Sequence, residues 1–162
     1  MRRALVSSAS WRMERKLPGS DRVLVSSGTV ECRAGGSGIE WRTVKPFPSL
    51  VAMRKDKMVF EDEDGRREKE ASDMPHYGDI RKATDAFASG SMDAVDDIFE
   101  TEASMLPGGR WRVVFKPRIM AMRTLVESVE MRGGELPETA TIKSGGATST
   151  IFFKAEKRRD EK

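Results

Sequence analysis

The chain has 162 residues, a length that suits one domain and leaves little room for two. Its 29 Lys and Arg residues against 26 Asp and Glu give a net charge of +3, far from the dense cationic surface of a dedicated nucleic-acid-binding protein. The longest apolar runs are four residues, whereas a membrane-spanning helix needs about 20. The single cysteine, Cys32, excludes an internal disulfide and a cysteine-based zinc site.

Hydrophobic residues make up 38% of the chain, a thin supply for a core, and ten of them are methionines, which adapt to irregular apolar surfaces. Val and Ile together outnumber Leu, and β-branched residues favour strands. The composition therefore disfavours a helical bundle and predicts a globular, strand-rich fold near the compositional limit at which a core could be incomplete or hollow.

The first part of the chain predicts a series of short strands separated by turns. Gly28 interrupts the longest of them, and a glycine inside a strand often marks a bulge, so we expect that strand to be curved. The predicted strands are 11–16, 22–32, 38–44, a hairpin of 49–54 and 57–62, and 66–70.

Two short amphipathic helices are predicted next. The first begins at Asp79 and carries Ile80 and Phe87 on one stripe, and the second begins at Ser91. The stripe of the second helix is predicted to contain Val95, Ile98 and Phe99. Because short helices need an apolar surface to lie on, we expect residues 79–106 to form a lid over the sheet.

Strands are predicted again at 110–116, 124–132, 139–144 and 148–154, and residues 119–122 are ambiguous between a strand and a bend. A run of strands, two helices and a second run of strands predicts one antiparallel sheet with helices on a single face, a mainly β (α+β) fold. We expect a single domain over 1–162, with its core at 11–154 and a charged tail at 155–162.

The sequence offers little for catalysis. His76 is the only histidine and has no companion residues in a recognisable catalytic spacing. The acidic run 61–64 lacks the ligand spacing of a calcium loop. We therefore expect no enzyme activity, no cofactor and no metal site.

Trp-Arg pairs at Trp11, Trp41 and Trp111 could form a stacking platform for single-stranded nucleic acid. In strands, however, neighbouring residues point to opposite faces, so the aromatic rings and the arginines separate. Large apolar residues would then share one inner face. Periodicity leaves two alternatives open, a solid core or a cavity beneath a helical plug.

An ordered series of short segments resembles the LolA-like outer-membrane lipoprotein carriers. The segments are residues 11–15, 26–28, 38–43 followed by Pro46, 64–65, 109–111, 117–118 and 151–153. The resemblance implies a curved, half-open antiparallel β-barrel whose helices form a lid or plug on the concave face. It also implies a periplasmic carrier, without affinity for nucleic acid, that takes lipoproteins from an inner-membrane transporter to an outer-membrane receptor. Only ten residues precede Trp11, so we expect a mature or trimmed chain.

From the inner face and the resemblance together, we expect acyl chains to bind in a cavity formed by ten cavity and lid residues. We also expect the protein to be a monomer. Arg33 is a candidate for the residue that holds the lid shut. The alternative function is a non-enzymatic module that binds a protein or nucleic acid through its basic surface. The predicted cavity and lid residues are Trp11, Met13, Ile39, Trp41, Phe87, Val95, Phe99, Trp111, Val113 and Phe115.

Overall fold

The computed structural model describes residues 8–33, 38–75, 77–82, 96–124 and 126–155, and most of these residues lie in β-strands. The strands in chain order are β1 (Ser8–Lys16), β2 (Val23–Arg33), β3 (Gly38–Lys45), β4 (Ser49–Met53), β5 (Lys57–Asp62), β6 (Gly65–Glu70), β7 (Phe99–Leu106), β8 (Arg110–Pro117), β9 (Ser128–Gly133), β10 (Pro137–Ser144) and β11 (Ala147–Ala155). No helix within the described ranges has the length and apolar character needed to cross a membrane.

The strands form one curved antiparallel sheet in the order β6-β5-β4-β3-β2-β1-β11-β10-β9-β8-β7. Each half of the chain is a meander, and β1 joins the halves by pairing with β11, where Trp11 lies opposite Phe153. The sheet does not close, because β6 and β7 remain at its two edges. The predicted fold class, a mainly β half-open barrel, is confirmed.

The pairing of β2 with β3 shifts register beside Gly28, the residue at which a bulge was predicted, although the extra residue lies on β3 and not on β2. Ser27 pairs with Lys45 while Gly28 pairs with Thr43, so β3 contributes one extra residue at this point. A Cβ atom at Gly28 would overlap the Arg42 carbonyl oxygen and lie 2.9 Å from the Thr43 Cα. Only glycine allows the backbones of β2 and β3 to approach this closely.

The segment after β8 differs from the prediction of a strand or bend at 119–122. It forms a short helix, α1 (Met120–Arg123), and the Met122 N–H donates to the Ile119 carbonyl oxygen at 3.0 Å. The Val126 N–H then donates to the Met122 carbonyl oxygen at 2.9 Å, which continues the turn. The strand predicted from residue 124 therefore begins only at Ser128.

The predicted lid was too long, because residues 99–106 form the edge strand β7. Phe99, predicted on a helical stripe, is the first residue of this strand and lies opposite Pro117. Residues 77–82 and 96–98 are helical. The rest of the predicted helical pair, including Phe87 and Val95, lies outside the described residues, as do His76 and the tail from residue 156.

The outer face of the sheet carries ion pairs, among them Arg112 with Glu130 and Arg12 with Glu14. It is not uniformly polar, however. Ala52 and Val59 are buried, at 0% and 3% exposure, although the register places them on the face opposite Trp41. Alternation alone predicts an exposed outer face, so burial at these two positions corrects that expectation.

Candidate functional site

The register places the large apolar side chains of β1, β3, β8, β9 and β11 on one side of the sheet, which we call the inner face. They form two groups. The central cluster lies on β1–β3 and β9–β11, and the edge cluster lies on β7–β9 and the helical segments. The central cluster contains Ala9, Met13, Trp11, Val30, Ile39, Trp41, Met131, Ala140, Ile142, Ile151 and Phe153.

Two stacked indoles form the middle of the central cluster. The ring centroids of Trp11 and Trp41 are 4.6 Å apart, and the planes differ by 24°. These residues lie on β1 and β3, which are separated by β2 and thus by about 9.6 Å, two strand spacings. Gly28 lies opposite Trp11 on the intervening strand, so no side chain at that position keeps the two rings apart.

The edge cluster is built around Phe115, which is 4% exposed. Its ring meets that of Phe99 edge to face, with centroids 6.0 Å apart. Ile98 and Met122 are also buried there, and Ile80 packs against them. Because Ile80 and Ile98 belong to helical residues, short helical segments cover the inner face at this end of the sheet.

Met131 packs against both clusters, so the apolar surface runs without a break from β3 to β7. Much of it is only half-buried, including Trp41, Met13 and Val113. The inner face continues onto β4 and β5, where further apolar side chains are half-buried. These are Val51, Met53, Met58 and Phe60.

Seven of the ten predicted cavity and lid residues belong to the two clusters. Trp11, Met13, Ile39 and Trp41 meet in the central cluster, and Phe99, Val113 and Phe115 meet in the edge cluster. Whether these residues contact a ligand stays a prediction.

Trp111 shares the inner face but belongs to neither cluster, and it lies at the start of β8. Its Nε1 donates to the Gly134 carbonyl oxygen at 2.7 Å. Its ring lies against Gly133, where a Cβ atom would be 2.7 Å from the Trp111 Cζ2. Arg33 ends β2 opposite Gly38, and its side chain lies outside the described part of the chain, so its role as a latch also stays a prediction.

Sequence reasoning missed several members of the inner face. Ile151 and Phe153 alternate along β11, and Val129 and Met131 alternate along β9, so a parity count of each strand could have found them.

Sequence reasoning also missed Tyr77, which anchors a helical segment to the sheet. Its hydroxyl donates to the carbonyl oxygens of Arg54 and, at 3.1 Å, Lys57, which ties the helical residues 77–82 to the β4–β5 turn.

Two charged residues outside both clusters have shifted pKa values. Hydrogen bonds from Arg66 and Lys57 lower the pKa of Glu68 on the outer face, and a hydrogen bond to Glu138 raises the pKa of Arg110.

An open groove of about 310 Å³ lies at the ends of β3–β5. Arg42 and Glu61 are among the residues that line it, and none of the predicted cavity residues does. Within the described ranges, no three His, Cys, Asp or Glu side chains converge as metal ligands. What the two clusters offer a ligand is apolar contact.

No protein-family model matches the chain, and no curated protein matches it. Among solved structures, the chain is similar to a LolA superfamily protein from Nitrosomonas europaea, with 11% identity, a TM-score of 0.48 and coverage of 99% of this chain and 90% of that one.

It is also similar to the lipoprotein LppX from Mycobacterium tuberculosis, with 9% identity, a TM-score of 0.44 and coverage of 92% and 85%. A third similar structure is a DUF1329 family protein from Desulfovibrio piger, with 12% identity, a TM-score of 0.41 and coverage of 91% and 82%.

Proposed function

We propose that this protein is a non-enzymatic carrier that holds the acyl chains of lipids or lipoproteins against the inner face of its sheet. The observation that supports the proposal is the continuous apolar surface formed by the central and edge clusters on a sheet that stays open. A surface of this kind favours a long apolar ligand over a polar one, because only the former gains from contact along its whole length.

The free energy expected from apolar contact is of the size that a reversible carrier needs. Each methylene group removed from water contributes about 0.8 kcal/mol, so about ten of them supply roughly 8 kcal/mol before ordering costs. Half-buried side chains such as Trp41 and Met13 gain further contact when a chain covers them. Met13 and Met131 are flexible and polarisable, which suits chains of varied length and saturation.

Transfer between membranes is the setting that the sequence resemblance favours. On that basis we propose a periplasmic monomer that receives acylated cargo from an inner-membrane transporter and passes it to an outer-membrane receptor. No cofactor is needed, since binding and release require only that apolar contacts in the carrier compete with those in the donor and acceptor.

Two neighbouring valines on β8 provide a matched test of the inner face. Val113 packs in the edge cluster, whereas Val114 points to the outer face, and both are half-buried. We expect Val113→Lys to weaken binding of diphenylhexatriene, a fluorescent hydrocarbon, by more than about tenfold, because the ammonium group would need burial beside the ligand. Val114→Lys should change the affinity by less than about twofold, since the lysine can stay in solvent.

Urea unfolding of both variants controls for loss of fold. The proposal is wrong if the folded wild-type protein fails to bind the probe at micromolar concentrations. It is also wrong if the two lysine variants, both folded, weaken binding equally.

A further inference from the structure

The central cluster contains a hydrogen-bond donor with nothing to bond. Trp11 is 4% exposed, and its Nε1 is the one buried side-chain nitrogen or oxygen in the described part of the chain that has no hydrogen-bond partner. Buried indole N–H groups usually find an acceptor. Trp111 follows that rule, because its Nε1 donates to the Gly134 carbonyl oxygen at 2.7 Å.

The surroundings of Trp11 explain why no acceptor is at hand. No polar or charged residue in the described part of the chain is buried, so none of them shares the interior of the cluster with Trp11 as an acceptor. The backbone of β1 is paired with β2 on one side and β11 on the other, so the nearby carbonyl groups are engaged in the sheet. A ligand that is largely apolar but carries one acceptor would complement this N–H.

We infer that the Trp11 Nε1–H donates a hydrogen bond to the carbonyl oxygen of an ester- or amide-linked acyl chain. The inference rests on the proposed function and adds a polar contact point to it. Such a carbonyl joins a long hydrocarbon chain to the rest of a lipid or an acylated protein. If this carbonyl group binds beside Trp41, the first carbons of the acyl chain lie at the central cluster. The rest of the acyl chain then runs along the apolar inner face.

The same surroundings select a neutral carbonyl over the carboxylate of a free fatty acid. A buried carboxylate needs a cation or several donors, and no charged residue in the described ranges is buried where it could supply one. One indole N–H satisfies a carbonyl oxygen but leaves an ionised carboxylate largely uncompensated. Linked acyl chains are therefore the expected ligands, and free fatty acids at neutral pH should bind more weakly.

The test compares four competitors for bound diphenylhexatriene: methyl palmitate, N-methylpalmitamide, palmitate and octadecane. We expect Trp11→Phe, which keeps an aromatic ring but removes the N–H, to lower the affinity for the ester and the amide relative to octadecane about fivefold. Trp41→Phe is the matched control, because it reduces the stacked partner ring and should leave that ratio unchanged. The ester and amide arms distinguish a lipid ester from an N-acylated protein as the source of the carbonyl.

A second measurement uses the wild-type protein alone. The indole N–H proton resonance of Trp11 should move downfield on addition of the ester or the amide and stay in place with octadecane. The inference is overturned if the resonance is unmoved by the ester and the amide, if Trp11→Phe keeps the wild-type ratio, or if palmitate binds as tightly as its methyl ester. In those cases probe binding persists and the proposed function stands, whereas absence of all binding to the folded protein overturns both.

Discussion

Replacement of Phe115 by alanine is expected to lower the free energy of unfolding by about 3–5 kcal/mol. Phe115 is 4% exposed and packs against Phe99, Ile98 and Met122, so its removal leaves a cavity where the helical segments meet the sheet. Two-state urea unfolding, followed by tryptophan fluorescence, measures the loss.

Phe152 provides the matched control on the outer face of β11. It is 38% exposed, and its ring lies 5.8 Å from the Arg12 guanidinium carbon. Phe152→Ala should therefore cost only about 1 kcal/mol, the loss of a solvated cation–π contact and some packing. Equal losses in the two variants would contradict the assignment of Phe115 to the core.

Replacement of Gly28 by alanine is expected to cost about 3 kcal/mol, a large loss for one added methyl group. The methyl group would overlap the Arg42 carbonyl oxygen and lie 2.9 Å from the Thr43 Cα, so the backbone of β3 has to move away. That movement would also separate Trp11 from Trp41, because Trp41 lies on β3 and stacks on Trp11 across β2. Urea unfolding gives the stability loss.

Gly134→Ala is the control for the glycine prediction, because the nearest atom to its added Cβ is the Glu138 Oε1 at 3.9 Å. It should change stability by no more than about 0.5 kcal/mol. A change at Gly28 as small as that at Gly134 would mean that the bulge does not require glycine.

The strands of the sheet were predictable because alternation and turn residues agree along most of the chain. Gly28 was a correct signal for a bulge, since a glycine inside a Val- and Ser-rich strand commonly marks a bulge or a close approach of two backbones. The edge strand β7 was not predictable in this way. Phe99 fits the helical spacing four residues after Val95 and also the first position of the strand, and Glu100 and Glu102 weaken the strand signal that follows.

The sequence predicted which side of the sheet carries the candidate site, but not how the side chains are arranged there. Parity placed Trp11 and Trp41 on one face, but their stacking depends on the missing side chain of the strand between them. The unpaired Nε1 of Trp11 depends on every neighbour in three dimensions, and no pattern along the chain encodes it. The burial of Ala52 on the outer face was also not predictable from sequence. Alternation of polar and apolar residues indicates on which face a residue lies, but not what packs against that face.

Methionine methyl groups allow the most direct test of acyl binding at the inner face. Met13 and Met131 belong to the central cluster, whereas Met105 and Met120 are exposed, at 76% and 77%. In the protein with methyl-labelled methionine, saturated with methyl palmitate, we predict nuclear Overhauser effects from the acyl chain to Met13 and Met131. Contacts confined to Met105 and Met120, or no contacts to any methionine, would contradict binding at the inner face.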